Sequence, residues 1–356
     1  MSSFIPRKIF PTLDSLPRSY FLGHHAAGLQ KMKATCSNTD LIVECRDYRV
    51  PLTSRNPLFE ESFAGKEKII VYTKTDLGFD GRHKDLVLLS CAQWRLKTTR
   101  TQDTIRQWHY PSKVIFRDAN DGKSIRLILK LAQEHAAKQN SIMALKMMVV
   151  GMPNVGKSTL LNDLRSKSQG KGKAAQTGDQ PGVTRKLGNL VKIIDGGELK
   201  DTVYMMDTPG VFIPYVPNSE SMLKLTLCGC VKDDVIAPTI LADYLLFCLN
   251  RVDPALYSQY HAPTNDIDEF LTGVARKTGM LRRGGETNED SSALWIIKRW
   301  RAGDLGRFVL DDVSSADFEQ VRVDSLAILA TSVNQAQKLD KKTRMVAAKE
   351  RRKGAG

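Results

Sequence analysis

The sequence predicts an α/β fold, a doubly wound and mostly parallel sheet, joined to a small C-terminal all-helical domain. Three observations predict it. Short apolar, β-branched runs alternate with helix-forming stretches up to about residue 215. A glycine-containing loop follows one of those runs directly and opens a run of helix formers. Beyond residue 215 the apolar residues recur at helical spacing.

Asp40–Asp47, Lys68–Tyr72 and Lys113–Phe116 read as the first three strands, each a short run rich in Ile, Val or aromatic residues. Leu145–Val150 and Val203–Met206 follow, the latter with a partner strand at Leu190–Ile194. Between strands, residues 125–138 place Ile125, Ile128, Leu129 and Ala132 on one helical face. Residues 239–249 do the same with Ile240, Leu241, Tyr244, Leu245 and Cys248, behind Pro238, which suits a first helical position. Ile267, Phe270, Leu271 and Val274 line a helix over 266–278 that Gly279 stops. Residues 284–290 read as a loop and 291–302 as a helix with two tryptophans. The expected organisation is a targeting segment at 1–20, an α/β domain at 21–214, a helical domain at 215–330 and a basic tail at 331–356.

Composition narrows the function classes. The chain has 356 residues, 42% hydrophobic and 26% charged, an ordinary globular balance that excludes a wholly disordered or collagen-like chain. No run approaches the ~18 apolar residues of a spanning helix. The six cysteines contain no CxxC pair, so they read as reduced thiols rather than a zinc or disulfide framework. The net charge of +14 is uneven: +6 over residues 338–353, +4 over 165–173 and +2 over 1–20. A nearly neutral body with basic extremities suits a polyanionic partner. No aromatic residue interleaves with the basic tail, so contact through phosphates, sensitive to salt, is expected there. Residues 1–20 carry three basic groups, one acid and four serines, as in a mitochondrial presequence, although Pro6, Pro11 and Pro17 interrupt an amphipathic helix.

Gly151-Met-Pro-Asn-Val-Gly-Lys-Ser158 fits G-x-x-x-x-G-K-S in the strand–loop–helix context that gives the pattern meaning. The backbone of Asn154, Val155, Gly156, Lys157, Ser158 and Thr159 can wrap phosphates at a helix N-terminus. Lys157 should reach the β- and γ-phosphates, and the Ser158 hydroxyl should bind magnesium. Asp207-Thr-Pro-Gly210 follows Ser158 by 49 residues, at a strand end. Its carboxylate can hold the magnesium and its Gly210 amide can contact the γ-phosphate. Between them, Thr184 in Pro181-Gly-Val-Thr184 can add its hydroxyl to the ion. The segment Ser166–Asp179, rich in Lys, Gly, Gln and Ser, is expected to order with nucleotide state.

Guanine specificity needs a carboxylate to accept from the guanine N1–H and 2-amino group, donors adenine lacks. Two N/T-K-x-D-like segments compete. Thr73-Lys74-Thr-Asp76 follows a clean strand but precedes Gly151 by 75 residues. Asn250-Arg-Val-Asp253 keeps the conventional order, but it ends a helical segment and has arginine in place of lysine. The first is the better reading, and it makes the motif order circularly permuted. The second base-side loop is then Asp118-Ala-Asn120, after the third strand, with Ser90-Cys-Ala92 as the alternative.

This order of motifs resembles the circularly permuted GTPases of ribosome biogenesis, in particular their mitochondrial ribosome-associated branch. Phe21-Leu-Gly-His24, Glu44-Cys-Arg-Asp-Tyr-Arg-Val-Pro51, Ser54-Arg-Asn-Pro57, Gly178–Thr184 and Gly306-Arg-Phe308 add to the resemblance, which spans roughly residues 20–330. It implies GTP hydrolysis and docking on the large ribosomal subunit and its rRNA during maturation, on the matrix side of the mitochondrial inner membrane. It also implies that Asn154 helps coordinate a monovalent cation such as K+, and that apolar Val211 and Phe212 stand where many GTPases carry a water-orienting glutamine. Slow intrinsic turnover stimulated by the ribosome follows from that substitution. Lys157, Thr184 and Asn154 are the expected catalytic set, and a monomer is the default. The competing reading is a protein-directed switch or transport GTPase whose basic tail touches acidic lipid.

Overall fold

The computed structural model describes residues 4–13, 16–17, 20, 23–78, 91–138, 143–170, 188–197, 201–213 and 218–330, with isolated positions at 172, 175, 216, 338, 341 and 345. Six strands form one sheet: β1 (Leu41–Asp47), β2 (Glu67–Thr73), β3 (Lys113–Phe116), β4 (Leu145–Gly151), β5 (Leu190–Ile194) and β6 (Val203–Asp207). Their order is β3-β2-β1-β4-β6-β5, parallel throughout except for the β5–β6 pair. The chain steps outward from β1 through β2 to β3, then returns to lay β4 against the other side of β1. That reversal opens a crevice at the carboxyl ends of β1 and β4, the place where such sheets bind ligands.

Side chains alternate across the sheet as the two-residue period requires. Val43 and Cys45 of β1 pack in one core with Ile125 and Ile128 of α4 (Gly122–Lys138) and Leu160 and Leu164 of α5 (Lys157–Gln169). Ile42 faces the other way, with Met32 of α1 (Gly23–Cys36) and Phe59 of α2 (Pro57–Ser62). The first core continues into α6 (Ser219–Leu227), α7 (Pro238–Val252), α8 (Ile267–Thr278) and α9 (Glu289–Arg301). Pro238 starts α7, Asp266 caps α8 through the Asp268 and Glu269 amides, and Gly279 at φ +75° stops it. The loop expected at 284–290 is shorter, because Asn288 caps α9 by accepting from the Ser291 amide and Glu289 already lies in the helix.

Two segments tie the ends of the chain to the body. Arg7 donates to the Asp243 carboxylate of α7 at 2.5 and 3.2 Å, and Phe10 meets the Tyr244 ring edge-on at 5.2 Å. After α9, Asp311 accepts the Leu52 and Thr53 amides, both at 2.9 Å. The following helix α10 (Ser315–Ala330) crosses onto α2 and α3 (Cys91–His109), with Phe318 4.2 Å from the Trp108 ring and Ser325 Oγ accepting from Arg55 at 2.9 Å.

Beneath α10 lies a buried charged cluster. Arg46 pairs with Glu44 at 2.6 Å, and His109 Nε2 sits 2.9 Å from the Tyr72 hydroxyl. Burial pushes the His109 imidazole far below its usual value, and Arg46, Lys68 and Arg55 add repulsion. The ring stays neutral when folded but charges in the unfolded chain below about pH 6.5. Unfolding then takes up a proton, so stability falls as pH falls through that value, by up to about 1.4 kcal/mol per pH unit. Urea unfolding at pH 7.5, 6.5 and 5.5 should show a steeper loss for the native chain than for His109→Gln; parallel curves would contradict this.

Candidate functional site

Five strand ends converge at one edge of the sheet; β2, β3, β4 and β6 each bring a nucleotide motif, and β1 brings Asp47. At the centre, β4 ends at Gly151 and α5 begins at Lys157. A Cβ on Gly151 would sit 2.5 Å from the Cys45 carbonyl, so only glycine lets the loop leave β4 beside β1. Lys157 is buried and its Nζ donates to the Met152 carbonyl at 2.7 Å, across the loop. Burial lowers the Lys157 amine, and the Asp207 carboxylate opposes that shift. Val155 and Gly156 complete the loop, and Thr159 is exposed in the first turn of α5.

Beside it, β6 ends at Asp207, whose carboxylate accepts from Ser158 Oγ at 2.6 Å. A hydroxyl and a carboxylate held together in this way form a hard-oxygen donor set that fits a magnesium ion. Gly210 lies against the phosphate loop, where a Cβ would come within 2.5 Å of Pro153 Cα. Val211 and Phe212 turn inward and are fully buried. Val211 packs with Leu29 and Met32 of α1, and Phe212 meets Tyr20 edge-on at 5.7 Å, with the buried His25 ring next to Tyr20. Neither residue can orient a water. Thr184 and Ser90 lie outside the described residues; Cys91 and Ala92 begin α3.

On the other side, β2 ends at Thr73, whose hydroxyl donates to the Val155 carbonyl at 2.7 Å. The base motif is thus bonded to the phosphate loop, 82 residues later in the chain. Lys74 takes the left-handed conformation, φ +57°, and its Nζ donates to Asp47 Oδ2 at 2.9 Å and the Asn154 carbonyl at 2.7 Å. Asp76 follows in a short 3-10 turn, and the Asp118–Asn120 loop lies alongside: the Ala119 amide is 3.4 Å from Asp76 Oδ1. Asp118 accepts from the Asn120 amide at 2.7 Å, so its side chain shapes its own loop and the backbone faces the base motif. The rival segment is elsewhere. Asn250, in the last turn of α7, donates to the Thr264 carbonyl at 2.8 Å, and Asp253, just after α7, caps the Ala255 amide.

Asp47 belongs to none of the nucleotide motifs, yet it is central. It ends β1 in the crevice, fully buried, and accepts from Arg49 Nη2 at 2.8 Å as well as from Lys74. Burial alone would raise its carboxyl; Arg49 and Lys74 outweigh that and hold it well below the ordinary carboxylate range. The signals in the sequence are a carboxylate at the end of a strand run, two residues before an arginine, and its place in the Glu44–Pro51 segment.

Residues 146–278 match the family model described as 50S ribosome-binding GTPase. Mitochondrial GTPase 1 of Schizosaccharomyces pombe is 37% identical over 322 residues, which is 87% of this chain and 94% of that protein. The chain belongs to the mitochondrial GTPase 1 family. It is a GTPase with the permuted motif order. Mitochondrial ribosome-associated GTPase 1 of Ictalurus punctatus is 32% identical, covering 86% of this chain and 96% of its own length. The fold also matches the crystal structure of GNP-bound YlqF from T. maritima, with a TM-score of 0.52 at 20% identity, over 80% of this chain and 97% of that one.

Proposed function

We propose that this GTPase acts in mitochondria, docking on the large ribosomal subunit through its basic segments and promoting the subunit's maturation. The observation that carries the proposal is the meeting of Asp76, the Gly151–Ser158 loop and Asp207 at one sheet edge, in a chain whose net positive charge is concentrated at 165–173 and 338–353. The names of the curated relatives, mitochondrial and ribosome-associated, support the coarser reading of a mitochondrial ribosome as partner. The basic stretch begins on α5, which runs to Gln169 before Gly170 ends it, and Lys167 is exposed there. Lys171 and Lys173 lie outside the described residues, as does the tail apart from Lys338, Lys341 and Met345.

In this reading Asp76 accepts from the guanine and Ala119 lends its amide to the base. Lys157 moves from the Met152 carbonyl to the β- and γ-phosphates. Ser158, Asp207 and Thr184 would hold magnesium, which supplies charge neutralisation at the phosphates. The Asn154 amide oxygen would hold K+. With Val211 and Phe212 buried, the attacking water is positioned by a group outside that pair or by the docked subunit, so the free protein turns over slowly. A contact on the matrix face of the inner membrane would be peripheral in this reading; no helix among the described residues is long and apolar enough to cross a membrane.

Turnover measured in K+ and in Na+, with and without purified large subunits, tests this. The expected result is a slow rate in K+, a slower one in Na+, and at least ~10-fold stimulation by subunits, weakening as salt rises. A rate unchanged by cation and subunits would contradict it. Binding to anionic vesicles without binding to subunits would favour a membrane-directed switch instead.

A further inference from the structure

The C-terminal end of α6 belongs to the helical part of the chain, yet it reaches the nucleotide site twice. The Gly229 carbonyl accepts from Asn154 Nδ2 at 2.9 Å. The Cys228 carbonyl accepts from Arg49 Nη2 at 3.2 Å, and Arg49 grips the Asp47 carboxylate that holds Lys74. The turn that presents these carbonyls is strongly determined. The Cys230 amide donates to the Leu225 carbonyl and the Gly229 amide to the Thr226 carbonyl, both at 2.9 Å, with Gly229 at φ +81°. This is a Schellman cap, and it calls for glycine at that position. Arg301 of α9 completes it, donating to the Leu227 and Thr226 carbonyls at 2.9 and 2.8 Å while its fork clamps Asp233 at 2.6 and 3.1 Å.

Asn154 is fixed at both ends. Its backbone is left-handed, φ +56°, and Lys74 binds its carbonyl. A carbonyl only accepts, so Gly229 fixes which end of the side-chain amide carries nitrogen and turns Oδ1 to the opposite side.

We propose that Gly229 and Arg301 are positioning residues for GTP hydrolysis: the capped end of α6 holds the Asn154 amide in the orientation that presents its oxygen to a monovalent cation beside the phosphates. This rests on the reading of Asn154 as a cation ligand. Gly229 and Arg301 themselves touch neither nucleotide nor cation; they act through Asn154. The helical part thereby gains control of the rate without contributing a group to the chemistry.

The test is a double-mutant cycle on the full chain, reading kcat in K+ and affinity for GDP. Gly229→Ala is expected to lower kcat at least ~10-fold with GDP affinity within about threefold of native, because Lys157 and Asp76 keep their contacts. Arg301→Lys keeps the charge but loses the planar fork, and should give a smaller loss of the same kind. In an Asn154→Ala background, neither change should lower kcat further. The cycle can be run with Arg301→Lys alone if Gly229→Ala does not fold. If Asn154→Ala slows turnover but neither positioning variant does, the positioning role is wrong while the cation reading stands. Losses that persist in full on the Asn154→Ala background would likewise overturn it, since they would be structural. An Asn154→Ala protein with the native rate and native K+ dependence would overturn the cation reading and this proposal together.

Discussion

Asp47→Ala is expected to cost about 3–5 kcal/mol of folding stability, the usual result of removing one partner from a buried ion pair. The carboxylate is fully buried, and the Arg49 guanidinium beside it is 2% exposed. Without Asp47, Arg49 would remain in the core 5.1 Å over the Trp300 ring, with the Cys228 carbonyl as its hydrogen-bond acceptor. Lys74 would lose the anchor that aims its chain across the base site. Thermal unfolding should shift downward by roughly 5 °C, and nucleotide affinity should fall in protein that still folds. The sign of the pH effect follows from the depressed carboxyl. Its stabilisation is fully present above about pH 4, the unfolded value, and is lost as pH falls through the lower folded value. The native chain should therefore lose this contribution only in strong acid, well below the window in which His109 acts. An Asp47→Ala protein as stable as the native chain would show that Arg49 and Lys74 find other partners.

Asp76→Asn is expected to exchange one nucleotide for another. A carboxylate accepts both guanine donors, and charge-assisted bonds of this kind are worth roughly 1.5–3 kcal/mol each. An asparagine amide cannot accept both, so GTP affinity should fall at least ~100-fold. Xanthine carries an oxygen where guanine carries the 2-amino group, and the asparagine nitrogen can donate to it. Affinity for XTP should rise as GTP affinity falls, while folding stability stays near native because Asp76 lies in an incompletely buried turn. Equal loss of both nucleotides would mean that Asp76 supports the loop and does not read the base.

The strands were legible because this sheet is buried on both faces. Short runs of Ile, Val, Leu and Met between helical stretches suit a buried parallel strand, and all six strands fall within one or two residues of their predicted ends. The phosphate loop and the Asp207–Gly210 motif were legible because phosphate and magnesium chemistry fixes residue type and spacing together. Asp76 was legible only through strand context, since a four-residue motif is weak and its position before Gly151 is unconventional. Asp47 escaped because its importance is a matter of burial and of two cations brought to it by folding. The contact between Gly229 and Asn154 escaped for a related reason: a backbone carbonyl leaves no side-chain signature, and the partners are 75 residues apart. Helix α10 falls within the span expected for the helical domain, but its apolar face is used on α2 and α3, a choice that periodicity does not encode.

The base motif comes before the phosphate loop in the chain and lies beside it in space. Competition by GDP and ADP for labelled GDP, on the native chain, Asp76→Ala and Asp253→Ala, tests it most directly. The expected result is that GDP competes and ADP does not, that Asp76→Ala abolishes binding, and that Asp253→Ala, which loses the cap after α7, binds as the native chain does. Loss of binding in Asp253→Ala with retention in Asp76→Ala would restore the conventional motif order and contradict the permuted pocket.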